Sequence, residues 1–224
     1  MCCRFYSDES TQKDIVSLVD GYDKGIDWLR EGDVHPGDMA TVIVKGSNGL
    51  FAGDMRFGMN ASQKTPALLI NAKAETVREK KSFAESVASR RCVICAKKFY
   101  EWDRDKNKAE FSSVGERSVY LAGIYNSEPE CAQAADAQTG SGSEGSGFSD
   151  STEISRSEIQ SGRFVILTTE ANDSMKPVHD RMPLTLRRDQ VAAWVSDDEK
   201  TDEILKQVPE DLSVYREYEQ MSLF

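Results

Sequence analysis

Short apolar runs of β character recur along the chain and never settle into a strand-helix-strand period. MATVIVKG (39–46), GLFAGDMRFG (49–58), PALLINA (66–72), RRCVICAKKFYEW (90–102), KAEFSSV (108–114), SVYLAGIY (118–125), RFVILTTEA (163–171) and LSVYREY (212–218) all read as strands. The first two face each other across Gly46 to Gly49, a hairpin signal. Helical spacing is confined to a segment beginning near residue 10 and running through IVSLVDGYDKGIDWL, to SFAESVAS capped by Ser82, and to RRDQVAAWV and DEILKQV near the end. This order predicts the α+β class: a single domain, residues 1–224, with a mostly antiparallel, barrel-like β-sheet core flanked by helices. A chain of 224 residues is long enough for one such core.

Between two of the strands the composition changes. Residues 127–162 are rich in Gly, Ser and acids and almost empty of core material, which predicts a disordered insertion inside the domain. The insertion carries seven acids and one base, residues 189–224 ten acids and three bases, and the rest of the chain is net +3 although the whole is −10. The total argues against a nucleic-acid partner, but the distribution leaves room for a mildly basic working face.

No run is apolar for 18 residues, and the start lacks the basic flank and apolar stretch of a signal peptide, so the expectation is a cytoplasmic protein with no membrane partner. Five cysteines, Cys2, Cys3, Cys92, Cys95 and Cys131, are an odd set and read as free thiols rather than a disulfide framework. Two of them directly follow Met1. Removal of Met1 ahead of a small residue would leave Cys2 with a free amine next to its own thiol.

Asn71 ends an apolar strand, Glu101 sits inside one, and His179 follows another in MKPVHDRMP. Polar groups in such places are normally satisfied or used. Singly, each has a plain reading as a turn, a solvent-face residue or a satisfied histidine. Together with MCCRF at the start, PALLINAKAET, RRCVICAKKFYEWD and LTTEANDSMKPVHDRMPLTL form an ordered set across residues 1–186. The set resembles the SRAP family, the SOS response-associated peptidases, viewed as abasic-site processing proteins. FYEW and HDRMP are its most specific parts.

The resemblance implies covalent capture of abasic sites in single-stranded DNA, by a monomer without a cofactor or metal that is nucleoid-associated when bound. The α-amino group of Cys2, with a reference pKa of about 7.7 to 8, would form a Schiff base with the ring-opened sugar aldehyde. The Cys2 thiol would then close a thiazolidine. Carried over by position, Asn71 orients the new N-terminus, Glu101 moves protons, and His179 acts as acid or base on the sugar and in reversal. Arg4, Lys73 and Arg181 are the DNA-binding residues. Weak lyase activity and self-removal of Met1 are further implications.

The chain also departs from the family pattern. Cys3 replaces a glycine, Lys73 an arginine, and RFGMNASQK lacks the usual tryptophans. Base stacking is worth about 1–3 kcal/mol per base, so their loss predicts weaker single-strand affinity. Two competing readings stand beside the resemblance: a structural zinc site built from Cys2, Cys3, Cys92 and Cys95, and a degenerate member that binds single strands without reacting. A thioredoxin-like role for Cys92 and Cys95 is disfavoured because they lie mid-strand, on opposite faces. His35 reads as a turn residue, Trp102 as packing, and Cys131 carries no role.

Overall fold

The structure is a computed structural model that describes residues 2–28, 30–62, 65–115, 118–127, 159 and 161–216. In chain order the strands are β1 (Phe5–Ser7), β2 (Gly21–Tyr22), β3 (Gly32–Val34), β4 (Met39–Gly46), β5 (Gly49–Phe57), β6 (Met59–Ser62), β7 (Thr65–Leu69) and β8 (Asn71–Lys73). They continue with β9 (Arg91–Ala96), β10 (Lys98–Trp102), β11 (Lys108–Ser112), β12 (Val119–Ser127), β13 (Gly162–Glu170), β14 (Arg181–Pro183), β15 (Thr185–Leu186) and β16 (Ser213–Arg216). The helices are α1 (Glu9–Leu18), α2 (Ala84–Ser89), α3 (Val191–Ser196) and α4 (Asp198–Leu205).

The fold is α+β and its pairing is mostly antiparallel. In the larger sheet β13, β12, β9, β4 and β5 follow one another, and a parallel pairing of β13 with β5 joins the two ends into a ring. The smaller sheet has the order β16-β11-β10-β1-β3. One continuous run serves both sheets: β9 lies in the ring, Lys97 donates its backbone N–H to Tyr6 O at 2.8 Å, and β10 continues beside β1. The sequence reads that run as one strand; the structure turns it into the corner between two sheets.

The inner faces of both sheets share one core, in which Phe57 stacks on Phe164 and tilts against Phe5 while Phe99 stacks on Phe111. A second core lies between the outer face of the ring and the helices, around Trp194, Ile15 and Val87. Strand alternation sends Cys92 to the first core and Cys95 to the second. The two thiols therefore cannot converge on one metal, and no metal-binding group of three or more His, Cys, Asp or Glu occurs among the described residues.

α1 begins at a capping box: the Asp8 carboxylate accepts from Thr11 N at 3.0 Å and Thr11 Oγ1 accepts from Asp8 N. It stops well short of residue 29. The backbone N–H of Asp20 donates to Leu50 O and its carboxylate accepts from Leu50 N, both at 2.8 Å, so sheet pairing takes the chain away from the helix. Gly49 lies there at φ 134°, where a Cβ would meet the Asp20 carboxylate, which explains a glycine at the hairpin. Ser82 does not cap α2; the capping position is Phe83, with no side-chain bond.

The segment expected to be disordered falls largely outside the described residues. Its end belongs to the fold, however: Ile159 is buried in the first core, packed where Gly53 has no side chain, and β13 starts at Gly162. Among the described residues no helix is long and apolar enough to cross a membrane.

Candidate active site

β13 is the frame of the site. Its first half pairs with β12 and β5 in the ring; its second half holds β8 on one edge, with Asn71 opposite Ile166 and Lys73 opposite Thr168. The other edge takes β14, with Arg181 opposite Glu170. Residues from three sequence motifs therefore meet along one strand.

The link from β13 to β14 is held by Asn172. Its Oδ1 accepts from Met175 N and Ser174 Oγ, and its Nδ2 donates to the carbonyls of Pro209 and Glu210. A single helical turn follows, in which His179 N donates to Met175 O at 3.1 Å. His179 Nδ1 accepts from the Arg181 backbone N–H at 2.9 Å. Asp180 Oδ1 also lies 2.9 Å from Nδ1. A backbone N–H cannot turn away, whereas the Asp180 carboxylate is exposed and free to rotate, so the neutral ring is best assigned its proton on Nε2.

Cys2 lies just ahead of β1, wholly enclosed in the first core with Met175, Val178 and Met182, the residues around the histidine turn. Burial pushes its thiol up, and the neighbouring Glu101 pushes it further. Glu101, on β10 opposite Ala109, is only 3 % exposed. Burial raises its carboxyl above the usual range, with His179 pulling in the other direction. Glu101 thus lies within electrostatic reach of both Cys2 and His179.

Asn71 Nδ2 donates to Ile166 O at 3.4 Å, while its Oδ1 is buried and accepts no hydrogen bond from a described residue. That oxygen is an acceptor waiting for an N–H. Lys73 is exposed and makes no ion pair with a described residue.

The two arginines are not presented as open forks. Arg181 Nη1 and Nη2 hold Glu75 Oε1 and Oε2 at 2.7 and 2.9 Å, and Nη2 also donates to Thr168 O. Arg4 pairs with Asp33 and lies 4.9 Å over the Tyr100 ring. Reading the sequence misses Glu75, Asp33, Tyr100 and Asn172; for Asn172 the sequence does carry a signal, an Asn-Asp-Ser cluster that favours local turns. Two open grooves of about 950 and 720 Å³ run along residues 207–211, and neither is lined by Cys2, Asn71, Glu101 or His179.

A family model described as SOS response associated peptidase (SRAP) matches residues 1–221. The chain belongs to the SRAP family. Its relatives include the abasic site processing protein YoqW of Bacillus subtilis, 30% identical over 184 residues that cover 75% of this SRAP chain and 70% of the relative. The abasic site processing protein YoaM of the same organism is 29% identical and covers 88% of the chain and 79% of itself. Two crystal structures share the SRAP fold at 16% identity. One, from Bacteroides thetaiotaomicron, has a TM-score of 0.68 over 96% of this chain and 91% of its own. The other, from Bordetella bronchiseptica, has 0.67 over 97% and 100%.

Proposed function

We propose that this SRAP protein captures abasic sites in single-stranded DNA as a thiazolidine, through Cys2 after loss of Met1. The observation that carries the reading is the burial of Cys2 in the core with Met175, Val178 and Met182 of the histidine turn, within electrostatic reach of Glu101. The names of the curated relatives give the substrate class. The free α-amino group adds to the C1 aldehyde of the opened sugar, giving a carbinolamine that loses water to become an imine. The Cys2 sulfur then adds to the imine carbon while its proton passes to the nitrogen, closing a five-membered ring with no external oxidant or reductant.

Each neighbour has a part that fits its environment. Asn71 Oδ1 accepts from the new N–H and aims its lone pair. Glu101, biased toward the neutral acid by burial, protonates the departing hydroxyl and takes the thiol proton. His179, with its proton on Nε2, donates to the sugar oxygen during ring opening and in slow reversal. Lys73 meets the backbone phosphates. Weak strand cleavage from the imine and removal of Met1 by the protein itself belong to the same reading. So does a weaker hold on undamaged strands, since the β5–β6 segment offers no tryptophan for stacking.

The test is a denaturing gel of protein mixed with a single-stranded oligonucleotide carrying one uracil, pretreated with uracil glycosylase. A shifted band without borohydride is expected from protein that intact mass shows to lack Met1, and Cys2→Ala should abolish it. Cys3→Ala should largely keep it. Absence of any shift from Met1-free protein overturns the reading.

A further inference from the structure

We propose that Glu75 and Asp33 act as internal substitutes for phosphate, each occupying the guanidinium that a DNA strand needs, so that strand binding proceeds by exchange of carboxylate for phosphate. The inference rests on the abasic-site reading above and adds to it a control over non-covalent affinity.

Geometry carries the argument. A carboxylate fork and a phosphate make the same paired contacts to a guanidinium, and Glu75 already makes both to Arg181. The further acceptors of Nη2 are both on Thr168, its backbone O and its Oγ1, inside β13, so the outward edge of Arg181 is the edge Glu75 covers. Glu75 belongs to the short 3-10 turn Ala74–Thr76, directly after Lys73. The strand's first cationic contact and the competing carboxylate are thus two residues apart. Asp33, on the neighbouring strand β3, occupies Arg4 through one oxygen, Oδ2 on Nη2, with the Arg4 guanidinium carbon 4.9 Å from the Tyr100 ring centroid.

Both pairs are reachable. The Glu75 side chain is 41% exposed against 15% for Arg181, and the Arg4 side chain 32% against 25% for Asp33. An incoming phosphate replaces the carboxylate with another anion that makes the same kind of contact, so the guanidinium keeps a charged partner through the exchange. The carboxyl groups stay ionised and keep competing: hydrogen bonds from Arg181 hold Glu75 low, and at Asp33 burial works against ionisation but bonds from Arg4 and Tyr100 outweigh it. The consequence is selectivity by chemistry. Undamaged strands are held weakly and released, and only an aldehyde converts the encounter into a lasting bond.

Fluorescence anisotropy of an undamaged oligothymidylate at several salt concentrations decides the matter. Glu75→Gln is expected to bind about 3- to 10-fold tighter than wild type at low salt, with a log-log salt slope steeper by about 0.7, the value for one more neutralised phosphate on a single strand. Arg181→Gln added to it should erase the gain, and Asp33→Asn should show its own gain through Arg4. Equal or weaker binding with an unchanged slope in the folded variants overturns the proposal and leaves the pairs as simple struts. If Glu75→Gln fails to melt cooperatively, Asp33→Asn decides alone by the same criterion. The wild-type gel separates the two ideas: crosslinking without an affinity gain in the variants sinks only the exchange, and no crosslinking by Met1-free wild type sinks the abasic-site reading whatever the variants do.

Discussion

Glu101 is a carboxyl group held where ionisation is costly, and that cost has a sign in stability. Its folded pKa lies above the unfolded reference, so between the two values only the folded protein keeps the proton, and stability falls as pH rises through that window. Each pH unit of the window is about 1.4 kcal/mol. For a chain of this size that is about 3–6 °C in Tm. Glu101→Gln should therefore melt close to wild type at pH 4 and higher than wild type at pH 7.5, while crosslinking more slowly. A Tm difference flat across pH would show that the carboxyl carries no such burden. The proposed site residues Asn71, Glu101 and His179 stand out in the sequence as polar groups at or inside apolar strands and Cys2 by its place after Met1, and Cys92 and Cys95 were separable by alternation alone. The partners of the two arginines were not legible: Glu75 meets Arg181, and Asp33 meets Arg4, only through sheet pairing between distant strands.

At the scale of elements, the buried cation Arg91 deserves comparison with the exposed ones. It sits at the start of β9, 3 % exposed, and donates to the carbonyls of Val87, Ala88 and Trp194 as well as to Asp198. Carbonyls at the ends of α2 and α3 lack intrahelical partners, and this one side chain serves both helices. Arg91→Met leaves three carbonyls without donors at about 1 kcal/mol each, so urea unfolding should show a loss of about 3 kcal/mol. A loss under 1 kcal/mol would mean that water replaces the guanidinium freely. Strand and helix identities followed from local pattern, whereas their ends did not. α1 terminates at Leu18 because Leu50 captures Asp20, and RRCVICAKKFYEW divides at Lys97 because two sheets claim its halves. Such boundaries are set by tertiary pairing, which no window of sequence contains.

For the molecule as a whole, Ile159 is the described residue between β12 and β13 that packs into the core. Ser127 at the end of β12 pairs with Gly162 at the start of β13, so the ring is complete without what lies between them. Closing entropy grows only slowly with loop length. Replacing residues 128–158 with a short Gly-Ser linker should leave Tm within a few degrees and crosslinking intact, while Ile159→Ala should cost about 2–5 kcal/mol by opening a cavity over Gly53. Unfolding of the linker variant at much lower temperature would show that the insertion bears on the core.

The enclosure of Cys2 bears on timing. A sulfur with no solvent contact, kept protonated by its surroundings, starts each encounter sheathed. On the proposed reading the lesion has to reach that sulfur where Asn71, Glu101 and His179 stand, so the pace of capture at high strand concentration is set by opening of the cover over Cys2, and only afterwards by proton transfer.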